Sequence, residues 1–298
     1  MFTMTPEEAR QSYLLIKHAL KEDIRSGDCT TAAIVPPQKT AYAVIMAKSP
    51  GVLAGIPFCA QTFAILSKRM SFYLPVEEGS QLEPEMCVLE IQGNACAILK
   101  GERTALNLLG RMSGIAAKTA QFVEAVKKTH VKILDTRKTA PGLRIFDKYA
   151  VRAGGGYNHR FGLDDMFLIK ENHIAEAGDA AEAVRRCIAY RKKHTLNQPI
   201  IAEADTIETA LKEVEAGADR ILLDNMSPDS VRKAVKSIRE TAKKLKRAVE
   251  IEVSGGISLE NVRAYAKTGI DYISIGALTH SVTAVDFSLL IIKDYRDL

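Results

Sequence analysis

Six short apolar runs recur from residue 131 onward, each followed by polar or glycine residues and then by a stretch with helical spacing. The runs are residues 131–134, 166–169, 200–202, 220–223, 249–253 and 272–275. Apolar residues at helical spacing fill the segments between them, and two of these segments start at suitable N-caps, Asp179 and Ser227. Regular alternation of strands with helices predicts a parallel sheet built from β-α units.

Such a sheet can be an open doubly wound sheet or a barrel, and the residues at the strand ends favour the barrel. Every run ends in residues with functional chemistry: Asp135 to Lys138, Lys170 to Asn172, Glu203 to Asp205, Asp224 to Asn225, Ser254 to Gly256 and Gly276 to Ala277. An open sheet usually concentrates its ligand groups at one switch point, whereas a barrel uses the ends of many strands. We therefore predict an α/β barrel that is incomplete, with fewer than the usual eight strands.

The first part of the chain follows a different pattern. Short β-rich runs broken at Pro50-Gly51 and Gly79, with one helical segment between them, predict an α+β domain with an antiparallel sheet. A long helical region over residues 102–128 then leads into the repeats, and we expect an interruption near Gly110 or at Ser113-Gly114.

These patterns predict two domains. The first covers residues 1–115 and the second covers residues 116–280. The remaining tail, residues 281–298, is expected to pack back on the first domain.

Composition narrows the class of protein. The net charge is only +5, from 41 Lys and Arg against 36 Asp and Glu, which is too small to indicate a nucleic-acid partner. The chain contains no run of about 18 apolar residues and no signal-peptide pattern, so we expect a cytoplasmic protein without a membrane partner. Its five cysteines have neither zinc-site nor disulfide spacing, which predicts reduced thiols.

A cluster of cationic side chains lies on two neighbouring units of the predicted barrel. The residues are Arg137, Lys138, His159, Arg160 and Lys170. An isolated Arg-Lys pair is usually a solvated loop, but five such groups repel one another unless an anion or nearby acids compensate. The sequence therefore predicts a ligand with at least two negative groups.

Two acids and two glycine turns end other strands. Glu203 and Asp224 are single carboxylates on successive strands, the sparse arrangement that suits Mg²⁺ held together with substrate oxygens, although either acid alone could equally be a helix cap. Asp205 either shares that role or caps the next helix. The residues Ser254, Gly255 and Gly256, and Gly276 with Ala277, follow the last two strands, where phosphate sites recur in barrels.

Several motifs of the chain resemble those of quinolinate phosphoribosyltransferase, the decarboxylating family also called nicotinate-nucleotide pyrophosphorylase. The resemblance is carried by LDTRKTAPGLR at 134–144, KYAVRAGGGYNHRFGLDDMFLIKENHI at 148–174, LLDNM at 222–226 and EVSGGI at 252–257. It extends to EDIRSGDCTT at 22–31, KSPGVLAG at 48–55, GERTALNLLGRMSGIA at 101–116 and DFSLL at 286–290, so it covers nearly the whole chain.

The resemblance implies a fold, a reaction and a set of site residues. The fold is an N-terminal open-faced α/β sandwich followed by an incomplete, seven-strand-like α/β barrel, in a homodimer or hexamer whose active sites are shared between subunits. The reaction transfers the phosphoribosyl group of phosphoribosyl pyrophosphate to quinolinate, with Mg²⁺ as cofactor.

The implied roles fall into four groups. The carboxylates of quinolinate would bind to Arg137, His159 and Arg160, and to Arg103 of the partner subunit. Lys138 and Lys170 would contact the pyridine acid or the phosphates, and with Glu203 and Asp224 they form the predicted catalytic set. Glu203 and Asp224 would hold Mg²⁺ and the ribose hydroxyls. The 5′-phosphate would lie against Ser254, Gly255, Gly256, Gly276 and Ala277, with His280 nearby.

The triple glycine at Gly154, Gly155 and Gly156 is then interpreted as a sharp turn before the second strand, which aims His159 and Arg160 at the dicarboxylate.

Three other functions remain open from the sequence. One is a related phosphoribosyltransferase of molybdenum-transport operons with a different acceptor. Another is a non-catalytic barrel protein that binds an anion or a nucleic acid. The third is a metal-dependent lyase acting on a phosphosugar, which the absence of a lysine deep in a strand disfavours.

Overall fold

A computed structural model describes residues 4–292 of the chain as alternating helices and strands. The first part contains α1 (Pro6–Ile24), α2 (Cys29–Ile34), β1 (Thr40–Ala47), β2 (Gly51–Val52), α3 (Ile56–Leu66), β3 (Met70–Tyr73), β4 (Gln81–Leu82), β5 (Cys87–Asn94) and α4 (Ala95–Val126). The remainder contains β6 (Lys132–Leu134), α5 (Arg144–Ala153), β7 (Phe167–Ile169), α6 (Glu171–Ala177), α7 (Ala180–Lys193), β8 (Ile200–Ala204), α8 (Ile207–Ala216), β9 (Arg220–Asp224), α9 (Pro228–Lys244), β10 (Glu250–Ser254), α10 (Val262–Ala266), β11 (Tyr272–Ser274), α11 (Ala277–His280) and β12 (Phe287–Ile292).

The chain divides into two compact units. Unit one contains the described residues up to Ala120, then Thr139–Gly155, then the described residues from Ala277 onward. Unit two contains Gln121–Lys138 and Gly156–Gly276. The domain boundary between residues 115 and 116 stays a prediction, and residues 293–298 of the tail lie outside the described part of the chain.

Unit one is built on an antiparallel sheet with the strand order β12-β1-β5-β3. Its inward positions are apolar, with Ile45 and Ile91 fully buried on adjacent strands. Phe63 of α3 and Leu109 of α4 belong to the same buried cluster, so both helices cover the sheet. Burial of each such side chain contributes about 1.5–3 kcal/mol. The open-faced α/β sandwich is confirmed.

Helix α4 runs without interruption from Ala95 to Val126, so the predicted break near Gly110 or Ser113-Gly114 is wrong. Its glycines serve close packing. A Cβ on Gly110 would lie 2.7 Å from the carbonyl oxygen of Val285, and one on Gly114 would lie 2.0 Å from that of Thr283. Glycine in a helix costs about 1 kcal/mol, and here the cost is offset by the approach of a second backbone segment.

Unit two contains the predicted parallel sheet, with the strand order β6-β11-β10-β9-β8-β7. Each predicted apolar run forms one of these six strands, and the second half of the chain is confirmed as an incomplete α/β barrel. The first two strands of the repeat, β6 and β7, lie at the two edges of the sheet. An isolated parallel bridge between Leu134 and Tyr157 adds one strand-like position beside β6.

The helix starts also follow the sequence. The side chain of Asp179 accepts a hydrogen bond from the N–H of Glu182 at the start of α7, and Ser227 accepts from Ser230 at the start of α9. The N-cap of α8 is Thr206, so Asp205 does not cap that helix. None of the helices within residues 4–292 is long and apolar enough to cross a membrane.

The triple glycine ends α5. A Cβ on Gly154 would lie 2.4 Å from the carbonyl oxygen of Ala116, so this position admits only glycine beside α4. Gly155 has φ +83°, a left-handed conformation that side chains disfavour. The chain then continues into Tyr157, whose N–H donates to the carbonyl oxygen of Ile133 at 2.8 Å. Close packing and a turn therefore explain these glycines.

Candidate active site

The carboxyl ends of the parallel strands in unit two carry most of the predicted site residues. Arg137 and Lys138 follow β6, Lys170 follows β7, Glu203 lies in β8, Asp224 ends β9, Ser254 ends β10 before Gly255 and Gly256, and Gly276 lies two residues beyond β11. His159 and Arg160 follow the bridge at Tyr157. Parallel strands end at one edge of their sheet, so a β-α repeat in the sequence places these groups on one rim.

Three predicted residues belong to unit one. Arg103 is exposed on α4, and Ala277 and His280 are the first and last residues of α11. The segment around α11 is held to α4 by Arg111, a residue outside the predicted site. Arg111 donates to the carbonyl oxygen of Thr279 at 3.1 Å and forms a two-bonded ion pair with buried Asp147, with both distances 2.8 Å.

Arg137 and Arg160 form a pair of neighbouring like charges, and Nη1 of Arg160 donates to the carbonyl oxygen of Met166 at 3.3 Å. Arg160 is only 7% exposed, and burial together with the nearby Arg137 lowers its pKa. Nε of Arg137 is buried and has no hydrogen-bond partner within the described residues. A buried guanidinium N–H without an acceptor is costly, and an anion placed between the two groups would relieve both penalties.

Lys170 forms an ion pair with Glu203, which joins the ends of β7 and β8. The register places these residues side by side, because Ile169 pairs with Ala202 one position earlier. Burial and the charge of Glu203 raise the pKa of Asp224, while Lys170 and Lys138 lower it. Two acids and two lysines are therefore within electrostatic reach of one another at this rim.

The two carboxylates of Glu203 and Asp224 suit Mg²⁺ better than they suit a metal ion that is held by protein ligands alone. No group of three or more His, Cys, Asp or Glu side chains that could hold a metal occurs among residues 4–292. Mg²⁺ is usually held by one or two carboxylates together with substrate phosphates and water. Burial and, after it, the nearby charge of Glu203 raise the pKa of Asp224, and a divalent cation between the two carboxylates would offset their repulsion.

The backbone at Ser254 to Gly256 is shaped for a close approach. Gly255 has φ +92° and Gly256 has φ +60°. A Cβ on Gly255 would lie 2.2 Å from Oδ1 of Asn225, so no side chain fits there. In the described part of the chain, the N–H groups of Gly255 and Gly256 donate to no protein acceptor. Backbone donors of this kind are suited to phosphate oxygens.

Asp135 organises the cationic segment and was not among the predicted site residues. It is fully buried after β6; Oδ1 accepts from the N–H of His159 at 2.8 Å and Oδ2 accepts from the amide of Asn158 at 2.6 Å. Its position at a strand end was visible in the sequence. Its role was not, because the contact depends on the bridge at Tyr157 that brings residues 23 positions apart together.

His159 is 8% exposed, and its ring nitrogens face protein atoms. Nδ1 accepts a hydrogen bond from the N–H of Arg160 at 2.8 Å, and Nε2 lies 3.3 Å from Oε1 of Glu252. A direct contact of this ring with a ligand carboxylate would require one of these interactions to change. The predicted contact of His159 with the substrate stays a prediction.

Comparison with known proteins matches both parts of the chain to one family. The model of the quinolinate phosphoribosyl transferase N-terminal domain matches residues 28–113, and that of the C-terminal domain matches residues 115–290. A probable nicotinate-nucleotide pyrophosphorylase (carboxylating) of Bacillus subtilis is 43% identical, covering 92% of this chain and 91% of its own length. The nicotinate-nucleotide pyrophosphorylase (carboxylating) of Mycobacterium leprae is 41% identical, covering 92% and 95%. The crystal structure of NadC from Streptococcus pyogenes superposes with a TM-score of 0.88 at 37% identity, covering 98% and 100%.

Proposed function

This chain belongs to the quinolinate phosphoribosyltransferase family, and on that premise we propose the reaction that it catalyses. It transfers the phosphoribosyl group of phosphoribosyl pyrophosphate to quinolinate, and it releases pyrophosphate and CO₂. The product is nicotinate mononucleotide, so the enzyme is a pentosyltransferase of NAD biosynthesis. The two pyrophosphorylases compared above are named for this activity, and their alignments cover more than nine tenths of this chain.

The observation that carries the choice of acceptor is the pair of neighbouring guanidinium groups on Arg137 and Arg160. Nε of Arg137 is buried without a partner within the described residues, and Arg160 lies close enough for its pKa to fall. Quinolinate has carboxylates on adjacent ring carbons, and a planar guanidinium binds a carboxylate through two parallel hydrogen bonds. Arg137 and Arg160 therefore form the proposed carboxylate clamp, the pair of guanidinium groups that binds the two carboxylates.

The remaining residues of unit two take roles around the second substrate. Lys138 and Lys170 contact quinolinate or the phosphates, and the N–H groups of Gly255 and Gly256 bind the 5′-phosphate. The same role is proposed for Ser254 and Gly276. Glu203 and Asp224 would hold Mg²⁺ and the ribose hydroxyls. When bound, Mg²⁺ would supply positive charge that neutralises the departing pyrophosphate.

The chemical step needs position and charge more than a protein nucleophile. The pyridine nitrogen attacks the anomeric carbon while the bond from that carbon to pyrophosphate breaks, and the clamp holds the ring in line. The ring nitrogen is then positively charged. The bond to the neighbouring carboxylate breaks, CO₂ leaves, and the electron pair remains on the ring carbon until it takes up a proton. Fixed cations around the site stabilise the negative charges of the carboxylates and of the departing pyrophosphate.

Turnover tests the proposal directly. Protein supplied with quinolinate, phosphoribosyl pyrophosphate and Mg²⁺ is expected to form nicotinate mononucleotide, with CO₂ in equal amount, and a chelator should stop the reaction. Arg137→Ala is expected to remove the activity. Arg144 lies on α5 in unit one, and Arg144→Ala is the control for the loss of an arginine side chain. If folded protein gave no product, or used nicotinate as readily as quinolinate, the proposed acceptor would be wrong.

We also propose that the enzyme is a homodimer, or a hexamer of dimers, in which Arg103 completes the site of the partner subunit. The exposure of Arg103 on α4 supports this role. Arg103→Ala and Arg137→Ala protein, each inactive alone, should regain part of the activity when mixed under conditions that exchange subunits. One kind of site in the heterodimer would then carry neither lesion. No recovery in a demonstrated heterodimer would contradict a shared site.

A further inference from the structure

A buried ion pair lies inside the parallel sheet, below the rim that carries the site. Glu252 of β10 is 0% exposed, and Glu250, Glu252 and Ser254 share one face of that strand because side chains alternate along it. Glu252 therefore lies on the same face as Ser254, two residues earlier in the strand. An ionised carboxylate in such a position is costly unless charged or hydrogen-bonding partners compensate for it.

The compensating partner on one side is Arg220 of β9. Its Nη1 donates to Oε2 of Glu252 at 3.0 Å, its Nη2 donates to Oε2 of Glu250 at 2.7 Å, and its guanidinium lies 4.0 Å from the ring centre of Tyr272. These contacts fix Arg220 in place. Burial opposes ionisation of Glu252, but His159, Arg220 and Ser274 outweigh that effect and lower its pKa, so the group is a carboxylate at neutral pH.

The partner on the other side is His159. Nε2 of the ring lies 3.3 Å from Oε1 of Glu252, an oxygen that makes no regular hydrogen bond within the described residues. Nδ1 accepts from the N–H of Arg160, so the ring proton belongs on Nε2, facing the carboxylate. A carboxylate that orients an imidazole fixes both its tautomer and its direction.

We propose that Glu252, held by Arg220, is a positioning residue for the carboxylate clamp. Its carboxylate holds His159 with Nε2–H turned into the sheet and Nδ1 turned to the N–H of Arg160. That hydrogen bond, together with the contact of Asp135 with the N–H of His159, sets the backbone from which the Arg160 guanidinium extends. This inference depends on the proposed function for the identity of the substrate, whereas the orientation of the His159 ring follows from the geometry alone.

Kinetics with the two substrates test the proposal. In Glu252→Gln the amide can present N–H to His159, which releases the ring, so KM for quinolinate should rise about tenfold or more while KM for phosphoribosyl pyrophosphate changes less than about twofold. Glu250→Gln is the matched control. It also removes a carboxylate of the same strand that pairs with Arg220. The side chain of Glu250 is 49% exposed, however, and an exposed ion pair of this kind contributes little to stability. Its KM values should equal those of the wild type.

A purely structural role predicts a different result. Glu252→Gln would then melt at a lower temperature with both KM values unchanged, and that outcome would overturn the proposal. An equal rise of KM for quinolinate in Glu250→Gln would overturn it as well, because the effect would not be specific to the buried carboxylate.

The state of His159 can be read without turnover. In an imidazole ¹H–¹⁵N spectrum of the wild type, with His159→Asn to identify the signal, His159 should carry a proton on Nε2 and none on Nδ1. A ring protonated on Nδ1 would refute the positioning role even if Glu252→Gln fails to fold. This measurement also separates the two hypotheses, since absence of quinolinate turnover in wild type would count against the proposed function and leave the spectrum unaffected.

Discussion

Replacement of Glu213 by glutamine should stabilise the protein, and increasingly so as the pH rises. Glu213 lies on α8, is 0% exposed, and neither carboxylate oxygen has a hydrogen-bond partner among the described residues. Burial, reinforced by Glu203 and Asp205, raises its pKa from 4.5 to about 8. The folded protein therefore keeps this group protonated at neutral pH, whereas the unfolded chain ionises it.

The sign and size of the effect follow from this difference. Below about pH 4.5 both states are protonated and the group has no effect. Between about pH 4.5 and about pH 8 only the unfolded state ionises, so the free energy of unfolding falls by about 1.4 kcal/mol per pH unit, to a total of about 5 kcal/mol as an upper limit. Glu213→Gln removes this dependence. Its advantage over the wild type should grow by about 3 kcal/mol between about pH 5.5 and about pH 8.

The assay is urea unfolding followed by far-UV circular dichroism at several pH values, because the chain has no tryptophan. Glu215→Gln is the matched control, since it makes the same replacement at an exposed position of the same helix. If the advantage of Glu213→Gln were the same at both ends of the range, the carboxyl would not be buried and protonated as inferred.

Three further variants test single contacts. Arg137→Lys keeps the charge but loses the buried Nε donor, so KM for quinolinate should rise roughly tenfold to a hundredfold in steady-state kinetics, and an unchanged KM would contradict the clamp. Gly255→Ala places a Cβ 2.2 Å from Asn225, so KM for phosphoribosyl pyrophosphate should rise, and wild-type kinetics would show that this turn does not bind phosphate. Arg111→Met leaves the carboxylate of Asp147 buried and unpaired and should cost about 3–5 kcal/mol in urea unfolding, whereas a loss below about 1 kcal/mol would mean that the pair is not fixed.

Local patterns were enough to predict the layers of both units. The six apolar runs, the caps at Asp179 and Ser227, and the polar strand ends are properties of short segments, and each is found where the spacing indicated. The same logic failed for Gly110 and Gly114. Glycine in a helical segment is ambiguous between a break and a close contact, and only the carbonyl groups of a segment some 170 residues away decide which applies.

Local spacing was enough to predict which chemical groups lie at the strand ends, because alternation of strands and helices places every such end on one rim. The resemblance named the reaction, and the family matches support it. Which of these groups face each other follows only from the folded chain. The ion pair of Lys170 with Glu203 and the contact of Glu252 with His159 join residues from different segments, and Nε of Arg137 meets no acceptor within residues 4–292. Such contacts depend on register, burial and long-range packing, and no local spacing encodes them.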